Sequence, residues 1–394
     1  MRVIATGVAE VEASTEPALP SVARLTLGNF RSYAAAQIEV AGAPVVLAGP
    51  NGAGKTNLLE AISFLAPGRG LRRAKLSEID RRNGGSAWTL SLQLATAEGM
   101  VQIGTGRDAH SESGERRVVR IDGAPAKTQA ELAQLASLVW LTPQMDRLFT
   151  EGAGARRRFL DRLVLGFDPE HANALGAYER AMRERLRLLR DGPADASWLG
   201  ALEETMAAHG VAVAAARRDA VMQIDRACAA TAGPFPQARL AMAGEVESWL
   251  GSMPALAAED ALRQRLAALR RVDAEAGVTT FGPHRSDLAV EHVGNEMPAP
   301  HCSTGEQKAL LLAILLAQAR LLAASQGAPP LMLLDEVAAH LDAERRAALF
   351  AELLDLKTQA WLTGTDAALF APLRGKAQFF AVADARLSPM DRFR

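Results

Sequence analysis

The sequence predicts an α/β protein, built as a head with a flanking antiparallel sheet plus a second lobe made of helices. Three observations predict it. A short apolar run, Pro44 to Ala48, ends at Gly49 and gives way to a glycine-rich loop and a helix. Residues 88–122 alternate apolar and polar side chains, the period of a half-buried strand. From 155 to 272 strand runs disappear, and Ala, Leu, Arg and Glu dominate.

In chain order, residues 1–21 carry Glu10, Glu12 and Glu16 without a continuous apolar core. They do not fit a signal peptide and are expected to be a flexible extension, or the product of a misplaced start codon. Val22 to Leu27 and Ile38-Glu39-Val40 read as strands. Asn57 to Leu65 reads as a helix. Residues 22–154 are therefore the first half of the head, with a glycine-rich turn expected at 104–106. Residues 155–272 are the helical lobe, with helices over Glu179 to Arg190, Gly200 to Cys228 and Leu262 to Val272. Residues 273–394 return to the head, with strands at Leu288 to Val290, Leu331 to Leu334 and Gln359 to Leu362. Heptads are not sustained in the lobe, so a long coiled-coil arm is not expected.

Composition excludes several classes. Apolar residues make up 49% and charged residues 23%, the balance of an ordinary globular chain. The formal net charge of −1 means that any nucleic-acid surface must be a local patch. The two cysteines, Cys228 and Cys302, form no disulfide framework and no CxxC, which fits a reducing, cytoplasmic compartment. The longest apolar stretch, Ala309 to Ala319, falls short of the roughly 20 residues a membrane span needs. No membrane partner is expected.

Gly49-Pro50-Asn51-Gly52-Ala53-Gly54-Lys55-Thr56 has the spacing of a phosphate-binding loop. Its glycines let backbone N–H groups wrap phosphates, and the helix that opens at Asn57 points its positive end at them. Lys55 would neutralise the β- and γ-phosphates, and the Thr56 hydroxyl would ligate Mg²⁺. Leu331 to Leu334 is an apolar strand ending in Asp335-Glu336. Asp335 would hold Mg²⁺, and Glu336 would polarise an attacking water. The same pair also suits a helix N-terminus. Gln144 lies on a loop from which it would reach Mg²⁺ or that water, or simply sit in a surface turn.

Ser303-Thr304-Gly305-Glu306-Gln307, followed by a long apolar helix and then the Asp335-Glu336 strand, resembles the signature and Walker B segments of an ABC-type ATPase. Taken alone, Ser303 and Glu306 have the spacing of a helix capping box. The resemblance implies that Ser303, Gly305 and Gln307 face the nucleotide held by a second copy. His340-Leu341-Asp342 resembles the loop that crosses such a dimer; capping by Asp342 is the plainer alternative. The resemblance narrows further. Leu27-Gly28-Asn29-Phe30-Arg31-Ser32-Tyr33, Arg157-Arg158-Phe159-Leu160-Asp161 and Gly282-Pro283-His284-Arg285-Ser286-Asp287-Leu288 are similar to segments of the RecF recombination-mediator family.

That family resemblance covers residues 22–394 and implies an ABC-type ATPase head with a helical second lobe. It further implies ATP-dependent dimerisation, slow hydrolysis of ATP with Mg²⁺, and binding to duplex and gapped DNA. It places the chain beside other recombination-mediator proteins, in gap repair, replication restart and the SOS response. Where transporter ATPases carry a γ-phosphate-sensing His, this sequence has Thr363, which is given the nucleotide-contacting role. The rivals are a transporter ATPase subunit and a nucleotide-gated scaffold of the chromosome-maintenance type without significant hydrolysis. Three basic clusters are candidates for DNA phosphates: Arg69, Arg72, Arg73 and Lys75; Arg156 to Arg158; and Arg180, Arg183, Arg185, Arg187 and Arg190. Each reads more simply as a solvated face.

Overall fold

The computed structural model describes residues 4–6, 20–82, 84–111, 115–191, 195–231 and 233–390. The chain divides into two compact units. The first comprises Met1–Met145, Gly233–Phe235 and Gln318–Arg394; the second comprises Asp146–Ala232 and Pro236–Ala317.

Two sheets build the first unit. In one, β1 (Ile4–Thr6) pairs in parallel with β3 (Tyr33–Glu39), and the rest is antiparallel: β2 (Ser21–Phe30), β5 (Thr89–Thr96), β6 (Gly99–Asp108), β7 (Arg116–Ile121) and β8 (Ala124–Pro125). Leu90, Leu92 and Leu94 of β5 are buried while Thr89, Ser91 and Gln93 are not, so the alternation seen in the sequence is the one-sided burial of this sheet. Two local expectations change here. Ile4–Thr6, inside the expected flexible extension, forms a strand paired to Gln37, Ile38 and Glu39; residues 1–3 and 7–19 lie outside the described residues. Gly104 and Gly106 lie within β6 rather than at a turn. A Cβ at Gly106 would stand 2.8 Å from the Trp88 carbonyl oxygen, so glycine there permits close strand approach.

The other sheet has the order β16-β15-β4-β14-β13-β9, from β4 (Val45–Ala48), β9 (Leu138–Leu141), β13 (Leu331–Leu334), β14 (Ala360–Gly364), β15 (Gln378–Ala383) and β16 (Arg386–Pro389). All but β16 run parallel. Strands β4, β9, β13 and β14 are buried along their whole length, which explains their unbroken apolar runs. Helices α1 (Lys55–Ser63), α2 (Glu131–Leu135) and α10 (Ala343–Asp355) belong to this unit.

The second unit contains α3 (Ala153–Phe167), α4 (His171–Arg190), α5 (Ala196–Ala229), α6 (Glu245–Trp249), α7 (Ala255–Ala268) and α8 (Arg270–Ala276). With them is a small sheet of β10 (Ala238–Ala243), β11 (Asp287–His292) and β12 (Met297–Pro298). Tyr178, Met206, Val211, Val246, Leu262 and Leu266 form its core. Residues 273–317, read from sequence with the head, pack in this unit. The helix expected over Leu262 to Val272 is broken at Leu269. There the Arg185 Nη2 takes the Leu266 carbonyl at 2.7 Å. Arg185 itself leaves the candidate DNA cluster. It is wholly buried, bonded to Glu203 at 3.0 Å and to Asp273 at 2.7 Å.

Helix α9 (Thr304–Gln326) crosses the boundary between the units at Ala317. By length and composition it is apolar enough to cross a membrane. Every residue from Ala309 to Ala319 is nonetheless buried in the protein, as in a core helix.

Candidate active site

The first unit gathers its chemistry at the carboxyl ends of its parallel strands, where open α/β sheets bind ligands. Strand β4 runs into the glycine-rich loop, β13 into Asp335-Glu336, β14 carries Thr363, and β9 leads to Gln144. Strand β14 lies between β4 and β13, so Thr363 stands between loop and carboxylates.

The loop is shaped for close approach. Gly49 has a φ of 158°, and a Cβ there would come within 2.0 Å of the Val382 carbonyl oxygen. Any side chain would push the loop off the strand end. The Tyr33 hydroxyl donates to the Gly54 carbonyl at 3.2 Å, and burial pushes its pKa well up. Lys55 is almost fully buried, and its Nζ donates to the carbonyls of Gly49 and Pro50 at 2.7 and 2.9 Å. Burial lowers the Lys55 pKa, and the charges of Glu336 and Asp335 oppose that shift. Pro50, Asn51, Gly52 and Ala53 complete the turn before α1.

Thr56 Oγ1 lies 3.0 and 2.9 Å from the two Asp335 carboxylate oxygens. Asp335 is buried at 3% exposure, and its N–H is held by the Leu141 carbonyl at 2.9 Å. The buried Thr363 hydroxyl donates to Asp335 Oδ1 at 2.6 Å and accepts the Glu336 N–H at 2.9 Å. Glu336 leaves the strand with a φ of 51°, an uncommon backbone for a residue with a side chain. Gln144 is exposed on the turn Pro143–Arg147, three residues past Leu141. The donor set suits a hard cation: a hydroxyl and a carboxylate, both oxygen. Among the described residues there is no cluster of three or more His, Cys, Asp or Glu. A hard cation such as Mg²⁺ takes oxygen ligands, commonly one or two carboxylates with substrate phosphates and water.

A second layer supports the loop, and sequence reading missed most of it. Glu60, one turn after Thr56 on α1, has no solvent exposure. It receives Arg31 at 2.5 and 2.9 Å and Arg72 at 3.0 Å. Arg72 also donates to Asn57 at 2.8 Å, and Asn57 donates to Ser32 at 2.9 Å. The available signal was an acidic residue on the apolar side of a short helix; its partners Arg31 and Arg72 lie 29 and 12 residues away.

Within the second unit, the segment Ser303 to Gln307 caps α9. The Ser303 hydroxyl and N–H both reach Glu306 Oε2 at 2.8 Å, and the Glu306 N–H returns to Ser303 Oγ at 3.3 Å. These Ser303 hydrogen bonds, the backbone one first, lower the Glu306 pKa. Ser303, Thr304 and Gly305 remain exposed. Gln307 is buried, and its amide donates to the Cys302 carbonyl at 2.8 Å, so it braces the turn. Lys308 pairs with Asp146 at 3.4 Å. In the first unit, Asp342 caps α10 by accepting the Arg345 N–H at 2.8 Å.

Comparison with known proteins gives a consistent picture. The family model described as the RecF/RecN/SMC N-terminal domain matches residues 21–371. The DNA replication and repair protein RecF of Mesorhizobium japonicum is 51% identical over 379 residues, covering 95% of this chain and 99% of that protein. RecF of Brucella suis biovar 1 is 49% identical over 373 residues, covering 93% and 96%. Among solved structures, the recombination mediator protein RecF-ATPrS of the RecFOR pathway matches with a TM-score of 0.81 at 21% identity, covering 94% of this chain and 98% of that one. An Smc head domain from Pyrococcus furiosus matches at 0.51 with 16% identity, covering 94% and 96%. At such identities the structural likeness speaks for the fold alone: an ABC-type ATPase head.

Proposed function

From a chain that belongs to the RecF family, we propose a recombination mediator: an ABC-type ATPase that dimerises on ATP, binds duplex and gapped DNA and hydrolyses ATP slowly. One observation carries the reading. Thr56, Asp335, Glu336 and Thr363 form one hydrogen-bonded set at neighbouring strand ends, and Lys55, held by the Gly49 and Pro50 carbonyls, lies within the field of both carboxylates. In this reading Lys55 binds the β- and γ-phosphates, while the loop N–H groups and the α1 N-terminus orient them. Thr56 and Asp335 would hold Mg²⁺, which when bound supplies charge neutralisation at the phosphates. Glu336 takes the proton from a water aligned behind the γ-phosphorus, and Gln144 helps orient that water.

The exposed Ser303 and Gly305 supply a hydroxyl and N–H groups to the nucleotide of a second copy. Functionally, then, the signature belongs with the head of residues 22–154 and 273–394, while 155–272 is the helical lobe. The dimer acts with other mediator proteins in gap repair, replication restart and the SOS response, in the cytoplasm.

Light scattering of Glu336→Gln tests this, with and without ATP·Mg²⁺ and with gapped duplex DNA added. We expect an ATP-dependent dimer that captures DNA, with turnover reduced by roughly 10²–10⁴-fold, the usual worth of a positioned base. A chain that binds ATP yet stays monomeric would remove the signature's role. A dimer indifferent to DNA would remove the substrate.

A further inference from the structure

Thr363 is the residue whose observed contacts differ most from the role expected of a γ-phosphate sensor. Its side chain is wholly buried at the end of β14. A hydroxyl has one proton to give and lone pairs with which to accept. Here the proton goes to Asp335 Oδ1 at 2.6 Å, and a lone pair receives the Glu336 N–H at 2.9 Å. Both of those bonds stay inside the protein. They hold the two consecutive residues on which the chemistry depends, at the point where Glu336 adopts a φ of 51°. Such a conformation persists only when its surroundings over-determine it.

Asp335 is otherwise fixed through its N–H to Leu141 and by the Thr56 hydroxyl, which spans both carboxylate oxygens. The Thr56 hydroxyl is itself a candidate cation ligand. Thr363 is therefore the hydroxyl left to orient Asp335 when Thr56 serves the cation.

We propose that Thr363 is a positioning residue: it aims the Asp335 carboxylate for the divalent cation and fixes the backbone from which Glu336 projects. The inference rests on the nucleotide-site reading above and goes beyond it by assigning Thr363 to the protein side of the site. A hydrogen-bonded partner behind a metal ligand typically contributes 10–100-fold to metal affinity or activity.

The test uses the full chain with Thr363→Val, Thr363→Ser and Thr363→Ala. Fluorescent ATP is titrated first without divalent cation and then at rising Mg²⁺; turnover and thermal melting are recorded alongside. Thr363→Val is expected to keep wild-type ATP affinity without cation. Its Mg²⁺ midpoint should rise by roughly 10–100-fold, with kcat lowered and KM for ATP little changed. Thr363→Ser should restore both. Thr363→Ala removes the hydroxyl with less steric demand and is read in the same way if the valine variant does not fold. A Mg²⁺ midpoint unchanged in the folded valine or alanine variant overturns the proposal, whatever happens to the melting temperature. So does a folded serine variant as impaired as valine. If the wild-type chain binds no ATP, the nucleotide-site reading itself has failed, and the two failures are told apart.

Discussion

Each unit buries a knot of charge, and the two knots differ in how they are closed. In the second unit Arg185, Glu203 and Asp273 are almost completely excluded from solvent, and Arg270 reaches in from the edge. Two cations meet two anions. Arg185 spends its third contact on the Leu266 carbonyl, and Asp273 accepts from the N–H and hydroxyl of Thr280. The network is neutral and saturated. In the first unit Lys55 faces Asp335 and Glu336, and among the described residues its ammonium donates to the Gly49 and Pro50 carbonyls rather than to a carboxylate. One cation meets two anions, at a strand end beside a loop of backbone donors. Burial of charge is common to both; what marks a binding site is charge left unbalanced at an accessible edge.

Breaking the saturated knot should have the largest effect on stability. Arg185→Ala leaves Glu203 and Asp273 buried without their central partner, a loss of about 3–5 kcal/mol for such pairs. Urea unfolding followed by circular dichroism measures it. ATP affinity of whatever remains folded should not change. If the variant unfolds at the wild-type urea midpoint, the network is not the support described here.

Lys55→Ala sharpens the comparison from the other side. Truncating a buried, hydrogen-bonded charge that meets a ligand costs about 2–5 kcal/mol of binding. Titration with fluorescent ATP should show that loss, with urea stability changed far less than in Arg185→Ala. Wild-type nucleotide affinity in Lys55→Ala would remove the loop from the site.

How much of this was legible in the sequence follows from the range of the interactions. The loop, the Asp335-Glu336 strand and the α9 cap are contiguous motifs whose local chemistry dictates their shape. They could be read directly, down to the Ser303–Glu306 spacing. The parallel strands were legible because burial on both faces demands an unbroken apolar run. Arg185 was not: on α4 it sits among Arg183, Arg187 and Arg190, and only the distant Glu203 and Asp273 distinguish it from them. Glu60 and Thr363 were obscured for the same reason, since their partners lie far off in sequence. Gly106 misled because a glycine that serves close strand packing looks like one that serves a turn.

The smallest expected effect probes polar burial of a third kind, neither an ion network nor a binding site. His284 accepts from the Tyr178 hydroxyl at 2.6 Å through Nδ1 and donates from Nε2 to the Thr279 carbonyl at 2.8 Å. That pattern needs the neutral ring. Burial lowers its pKa, and Arg285 and Arg157 lower it further, against the Thr279 hydrogen bond and Asp273. The unfolded ring therefore binds its proton at higher pH than the folded one. Its contribution to stability is complete above the unfolded pKa of about 6.5 and is lost as pH falls below it, towards the lowered folded value. Urea unfolding of wild type and His284→Asn between pH 7.5 and 5 reads this directly. The wild type should lose stability on the acid side more steeply than the variant. Parallel curves would mean that His284 titrates alike in both states, and that the Tyr178 bond does not select the neutral ring.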